Sequence, residues 1–321
     1  MGVYMAKALK VILTVFIVFL VAALGLLYVY GPNFNIYLFP PSPQKYTEQA
    51  LNKMNQGIFA TGDTWKSAKE QAFLSVKDAQ SYEECHDAIQ EALSVAGGKH
   101  ASFNTPSQIS DESSKNTLPD IKQDGEILYI KLPPLIYGEK DFLDQYANTI
   151  NEALLAQNYQ GVIIDLQENT GGDMGPMILG LSSLLEDGTL LSFVDKFDNL
   201  TPVNLENGNI NAGSNPRLKT LTKVKPVPVA VLINEHTASS AEITALALKT
   251  ITKVKFFGTP SASYTSVNSQ FPLYDGSIIQ LTTGKLKDAQ GKIWLNEAIK
   301  PDLETQNAYQ DAKEWILQAQ H

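Results

Sequence analysis

Residues Val229–Ile243 read VAVLINEHTASSAEI. The unbroken apolar run up to Ile233 is the pattern of a strand buried on both faces, as in parallel sheets, and from Ser240 to Lys253 the chain reads as a helix. Ser239 therefore falls where a strand gives way to a helix. A serine there is an ordinary N-cap, but Thr237 or Ser240 can fill that place and leave Ser239 unexplained. The other reading is a nucleophile standing at the positive end of a helix dipole, where free N–H groups stabilise negative charge.

Working outward, the same alternation recurs. EILYIKL (126–132) is a strand, Phe142, Tyr146, Ile150 and Ala153 mark a helix, and GVIIDL (161–166) is a second buried strand. MGPMILGLSSLL (174–185) is a helix after two glycines, and VKFFG (254–258) a further strand. Strand–helix–strand order implies an α/β layer fold with a mainly parallel sheet. Asp275-Gly276 and the turn around Gln290-Gly291 read as hairpins, and NAYQDAKEWILQA (307–319) as a closing helix. Upstream, residues 46–98 are helical: Tyr82, Cys85, Ile89 and Ala92 repeat at helical spacing until Gly97-Gly98, which makes Cys85 a buried apolar residue and its neighbour His86 a solvated or capping-region one. The polar stretch 103–125 reads as a surface loop.

The chain has 321 residues, 44% of them hydrophobic, and a net charge of −9 with no long basic block. That argues against a nucleic-acid partner. One cysteine excludes an intramolecular disulfide and a thiolate metal cluster, and no metal or other cofactor is expected. Val11–Tyr30 holds 20 residues without a charge, enough to cross a hydrocarbon core of about 30 Å. Lys7 and Lys10 precede it and the next charge is Lys45, so the N-terminus is expected in the cytoplasm and the rest outside, on a single-pass, uncleaved anchor. The expected divisions are 1–31 as cytoplasmic tip and anchor, 32–45 as a stiff Pro-rich linker, 46–105 as a helical region, and 106–321 as the α/β core.

A serine hydroxyl needs a base. The chain has four histidines, His86, His100, His236 and His321, and no Lys, Arg or His between Phe256 and Gly284. His236 lies three residues before Ser239 on one tight turn, where reaching back would strain it. His100, in GGKHASF just past a glycine-terminated helix, is the leading candidate. An ordinary imidazole then predicts activity falling below roughly pH 6–7. The TGGDM loop (170–174), at a strand end, is either a tight turn needing glycine or a place where backbone N–H groups meet an oxyanion.

GVIIDLQENTGGDMGPM, VAVLINEHTASSAEI, GTPSASYTSVNS and NEAIKPD, in this order and spacing, resemble the C-terminal processing (tail-specific) serine peptidases, with the branch related to the tricorn core nearest. ALNKMNQGIF and AIQEALSVAGGKH resemble the helical part of bacterial members of that branch. The resemblance covers roughly residues 46 to 305 and implies a crotonase-like α/β peptidase core. It implies Ser239 as nucleophile and His100 as general base. Glu297 would orient the histidine, and the backbone N–H groups of Gly171 or Gly172 and of Ser240 would form an oxyanion hole. The sequence departs from the family at Tyr264, where tail-specific members carry a lysine, at Ala101 and at Gln167, and it has no room between 100 and 126 for a PDZ domain. The implied activity is hydrolysis of peptide or protein substrates outside the cytoplasm. The alternative is an inactive peptide- or lipid-binding module on the same fold. Glu235, Glu242, Asp165 and Asp173 are the other acids near these motifs, with capping or structural roles expected.

Overall fold

The computed structural model describes residues 2–319; Met1 and the segment 320–321, with His321, lie outside the described residues. The chain forms two compact units, one of residues 1–106 with 269–281 and the other of 107–268 with 282–321.

In the first unit, α1 (Gly2–Tyr30) contains the stretch Leu9–Tyr30, long and apolar enough to cross a membrane and the only such helix among the described residues. The side chains of the Leu9–Tyr30 stretch are almost all exposed. After it, Ser42 accepts the N–H of Lys45 and Pro43 occupies the first turn of α2 (Pro43–Met54). The Pro-rich stretch thus starts a helix instead of continuing as a spacer to 45, because proline is pre-set for a helix's first turn. α2, α3 (Gly62–Ser75) and α4 (Glu83–Gly97) bury Tyr46, Leu51, Met54, Trp65, Cys85, Ile89 and Leu93 in one core. Of the two readings of His86, solvation is not what the structure shows: it lies in the first turn of α4, half-buried, paired with Asp275 at 3.2 Å and against the Phe103 ring.

The expected loop 103–125 is also structured. β1 (Ser102–Asn104) pairs with the start of a later strand at residues 278–280, α5 (Pro106–Ser113) follows, and β2 (Asp120–Asp124) pairs antiparallel with β3 (Ile127–Lys131). α5 buries no residue and β2 is a largely exposed edge strand, so neither leaves an apolar pattern in the sequence.

In the second unit, α6 (Lys140–Leu155), β4 (Gly161–Asp165) and α7 (Met174–Gly180) are followed by β5 (Gly188–Asp195), β6 (Leu200–Glu206) and β7 (Asn209–Ile210). Then come β8 (Val229–Ile233), α8 (Ser240–Leu248), β9 (Val254–Gly258) and β10 (Ser266–Pro272). β11 (Ile278–Asp288), β12 (Ile293–Trp294), β13 (Leu303–Glu304) and α9 (Ala308–Gln318) complete the chain. α8 ends five residues before the expected Lys253. Both expected hairpin turns form, at Asp275-Gly276 between β10 and β11 and at Gln290-Gly291 between β11 and β12.

A six-stranded sheet runs β13-β9-β8-β4-β3-β2, parallel except for the β2 edge. Val162 and Ile164 pack with Val229, Val231 and Ile233 toward α6, α7 and α8, while Ile163, Ala230, Leu232 and Phe257 pack toward Ala308, Ala312 and Ile316 of α9. With successive side chains on opposite faces and helices on both, every position must be apolar. Each fully buried Ile or Val contributes about 1.5–3 kcal/mol. β5, β6, β7, β12 and the end of β11 form an antiparallel sheet that the sequence reading did not anticipate.

Candidate active site

β4 and β8 are parallel neighbours, with Asp165 opposite Leu232, so the loops after them leave the sheet side by side at its carboxyl edge. That is where open α/β sheets bind ligands. One loop carries the two glycines and the other Ser239.

Ser239 is the N-cap of α8 with φ 56° and ψ −119°. Non-glycine residues avoid this region, which costs about 1–3 kcal/mol and persists only where the surroundings impose it. The surroundings are specific. Thr237 Oγ1 donates to Leu166 O at 2.8 Å, and the Ala238 N–H donates to Asn169 O at 2.9 Å. Ser240 Oγ donates to Gly172 O at 2.6 Å, and the Ser239 N–H donates to Glu242 Oε2 at 2.9 Å.

The glycine loop is built to approach this turn. Buried Asn169 donates from Nδ2 to Leu132 O at 2.9 Å and accepts the Gly171 N–H on Oδ1 at 2.9 Å. A Cβ on Gly171, whose φ is 103°, would lie 2.8 Å from Ser239 Cβ and 3.0 Å from Ser240 N. Gly171 is therefore required both by its backbone angle and by the space beside the nucleophile turn. Its N–H is engaged by Asn169, and the bridge to Leu135 uses Gly171 O and the Asp173 N–H. The N–H of Gly172, an exposed residue, is left outside that bridge. The N–H of Ser240, at the first position of α8, has no acceptor within its own helix. These two amides are the candidates for binding an anion beside Ser239.

Glu242 is completely buried. Its carboxylate accepts the hydroxyl of Ser261, the Ser263 N–H at 3.1 Å, the Tyr264 N–H at 2.8 Å and the Ser239 N–H. Burial pushes its pKa up, against the pull of those four donors. Ser261 Oγ in turn accepts the Ile299 N–H at 2.8 Å. Glu242, Ser261 and Asn169 were not singled out for such roles from the sequence. The readable signals were the Ser-x-x-Glu spacing of Ser239 and Glu242, a capping box, and the Asn-Thr-Gly-Gly run of an Asx turn.

The remaining acids have other partners. Glu235 is exposed and accepts from Thr259 Oγ1 at 2.8 Å. Asp165 accepts the Tyr129 hydroxyl at 2.6 Å, and Asp173 caps α7 through the Gly175 N–H at 2.9 Å. Glu297 exchanges backbone hydrogen bonds with Thr265 Oγ1, while its carboxylate pairs with Lys292 Nζ at 3.0 Å with the side chain 55% exposed. His236 is exposed on the turn.

His100 belongs to the first unit and closes a 3-10 turn, Gly98–His100. Gly98 has φ 69°, and a Cβ there would strike the Phe59 ring at 2.9 Å. The imidazole is buried, and burial, followed by the charge of Lys99, pushes its pKa down to about 4. Such a histidine is neutral at physiological pH, the form a general base needs.

Comparison with known proteins places these features in a family. The model for peptidase family S41 matches residues 126–305. The chain is 43% identical over 296 residues to a nisin-resistance protein of Lactococcus lactis subsp. lactis, covering 91% of this chain and 93% of that one. It is 31% identical over 155 residues to the carboxy-terminal processing protease CtpA of Bacillus subtilis, covering 48% of this chain and 30% of that protein. Among solved structures, a lipoprotein from Streptococcus agalactiae superposes with a TM-score of 0.82 at 34% identity, over 88% of this chain and 99% of that one.

Proposed function

The chain belongs to peptidase family S41, and from that premise we propose that it is a membrane-anchored serine endopeptidase that cleaves peptides outside the cytoplasm. Ser239 Oγ attacks the scissile carbonyl carbon while the neutral His100 imidazole takes the hydroxyl proton. The oxyanion of the tetrahedral intermediate lies on the N–H groups of Gly172 and Ser240, with Gly171 providing the space beside them. The intermediate collapses as His100 returns the proton to the departing amine, leaving an ester on Ser239. Water then hydrolyses the ester by the same route in reverse roles. Tyr264 stands where lysine-dependent members of the family carry their base, which supports the histidine. Glu297 is the proposed orienting carboxylate, in a partial role, since its carboxylate is exposed and shared with Lys292.

The observation that carries this reading is the strained Ser239 backbone, held beside Gly171 and the first amide of a buried helix. Strain of this kind is kept where function uses it. The anchor is assigned to Leu9–Tyr30, with the N-terminus cytoplasmic and the large domain exposed to the exterior.

The name of the Lactococcus relative points to the substrate. We take it to be a nisin-like peptide reaching the cell from outside. The test is incubation of the detergent-solubilised full chain with nisin, with fragments read by mass spectrometry and a fluorophosphonate probe read for labelling. Defined fragments, and probe on Ser239, are expected from the wild type and neither from Ser239→Ala. Intact nisin together with an unlabelled Ser239 would turn the assignment to a binding module on the same fold. Labelling with nisin left intact would keep the peptidase and remove the substrate.

A further inference from the structure

A carboxyl group with no exposure needs a reason to be where it is, and capping α8 is not sufficient for Glu242. A cap is an exposed arrangement at a helix end, whereas Glu242 is completely buried and gathers four donors from two segments of chain. Its two oxygens divide the work. Oε2 takes the N–H of Ser239 and that of Tyr264; Oε1 takes the Ser261 hydroxyl and the Ser263 N–H. Through Ser261 the connection extends to Ile299, which exchanges hydrogen bonds with Ser261 in both directions.

Resting on the peptidase reading above, we propose that Glu242 is the positioning residue of the nucleophile: its Oε2 fixes the Ser239 backbone and occupies the Ser239 N–H. Two consequences follow from the geometry. The Ser239 N–H is withdrawn from the anion site, so the negative charge of the intermediate falls to the next amide, that of Ser240. The carboxylate also sets the register between the nucleophile turn, the 261–264 loop and the segment at Ile299. The Glu242 carboxylate acts on the Ser239 backbone and takes no part in the bond changes of the reaction.

The chemistry of the two oxygens supplies the experiment. Methionine at 242 fills the space but accepts nothing, so Ser239 is no longer held. Glutamine favours its oxygen toward the Ser239 and Tyr264 N–H groups, because its amide nitrogen then donates to the Ser261 hydroxyl and faces one backbone N–H, that of Ser263, where the reverse orientation would face two. In the full-length chain, Glu242→Met is expected to lower kcat roughly 100- to 1000-fold, in the range for a lost preorganised anion site. KM should stay within about twofold, and fluorophosphonate labelling of Ser239 should slow in parallel. Glu242→Gln is expected to restore kcat to within about tenfold of wild type. Rates are taken per folded molecule, with Tm recorded alongside. A merely structural role would lower Tm and leave kcat alone, and that result overturns the proposal.

Should Glu242→Met fail to fold, Ser261→Ala loosens the carboxylate without removing it. An approximately tenfold fall in kcat at unchanged KM supports the role, and an unchanged kcat overturns it. Ser239→Ala is the reference. If it remains active, the peptidase reading fails and the proposal with it. If it is inactive while Glu242→Met keeps wild-type kcat, only the role of Glu242 is lost.

Discussion

At Ser239 the backbone is held at φ 56° by hydrogen bonds from the glycine loop and Glu242, whereas at His100 the side chain has been altered, its imidazole driven to a pKa of about 4 by burial. One turn is prepared by strain and the other by desolvation. On the proposed mechanism the difference follows from what each group must do. A hydroxyl nucleophile is weak whatever its surroundings and gains from being placed, while a base must arrive without its proton.

The largest effect that would break this comparison is at the base. His100→Ala is expected to lower kcat/KM on the order of 10³- to 10⁴-fold, and His236→Ala, on its exposed turn, to stay within about twofold. The reverse ranking in steady-state kinetics would give the base role to His236. The pH profile sharpens the same point. Because burial keeps His100 neutral, activity should hold to about pH 5, not fall below pH 6–7 as an ordinary imidazole would require.

Gly171→Ala tests the other turn. The added methyl would lie 3.0 Å from Ser240 N, in the space an oxyanion would use, so kcat should fall roughly 100- to 1000-fold while the far-ultraviolet circular dichroism is unchanged. A variant with full activity would move the anion site away from the glycine loop.

The cost of desolvating His100 should also be visible in stability. Its folded-state pKa of about 4 lies below the ordinary 6.5, so as pH falls the unfolded chain takes up the proton first. The stability associated with the neutral ring is complete above pH 6.5 and is lost as pH falls toward 4, a difference of about 3 kcal/mol at most. Urea unfolding of wild type and His100→Gln at pH 7 and pH 4.5 should show the wild type losing ground relative to the variant. Parallel losses would mean that the imidazole is solvated.

The smallest effect is expected at Glu297. A carboxylate that is 55% exposed and paired with Lys292 has little to lose, so Glu297→Gln should lower kcat less than about tenfold with KM unchanged. A fall of a thousandfold would make it a full member of a triad with His100.

The sequence carried the parallel sheet clearly because β4, β8 and β9 are short apolar runs, and only a sheet covered on both faces requires that. The antiparallel sheet was less visible. β11 does alternate buried and half-buried residues, but its residues include Thr282, Thr283, Gly284 and Lys285, whose polarity hides the period. The place of Ser239 at a strand-to-helix turn was legible from the apolar run before it, while His100 stood out as a candidate only by scarcity of alternatives. Glu242 was not, since an acid at the third helical position ordinarily faces water. Its burial is imposed by residues 261–264 folding over it, and no local pattern announces that.

The backbone angle at Ser239 has a consequence for the history of such a chain. Glycine enters that region freely, so Ser239→Gly should relieve about 1 kcal/mol or more and raise Tm by a few degrees while abolishing the proposed proteolysis. At this codon, thermal robustness and activity are selected in opposite directions. A population kept warm and spared its peptide challenge would be expected to drift toward glycine first, leaving a sturdier, silent protein as the fossil of the enzyme.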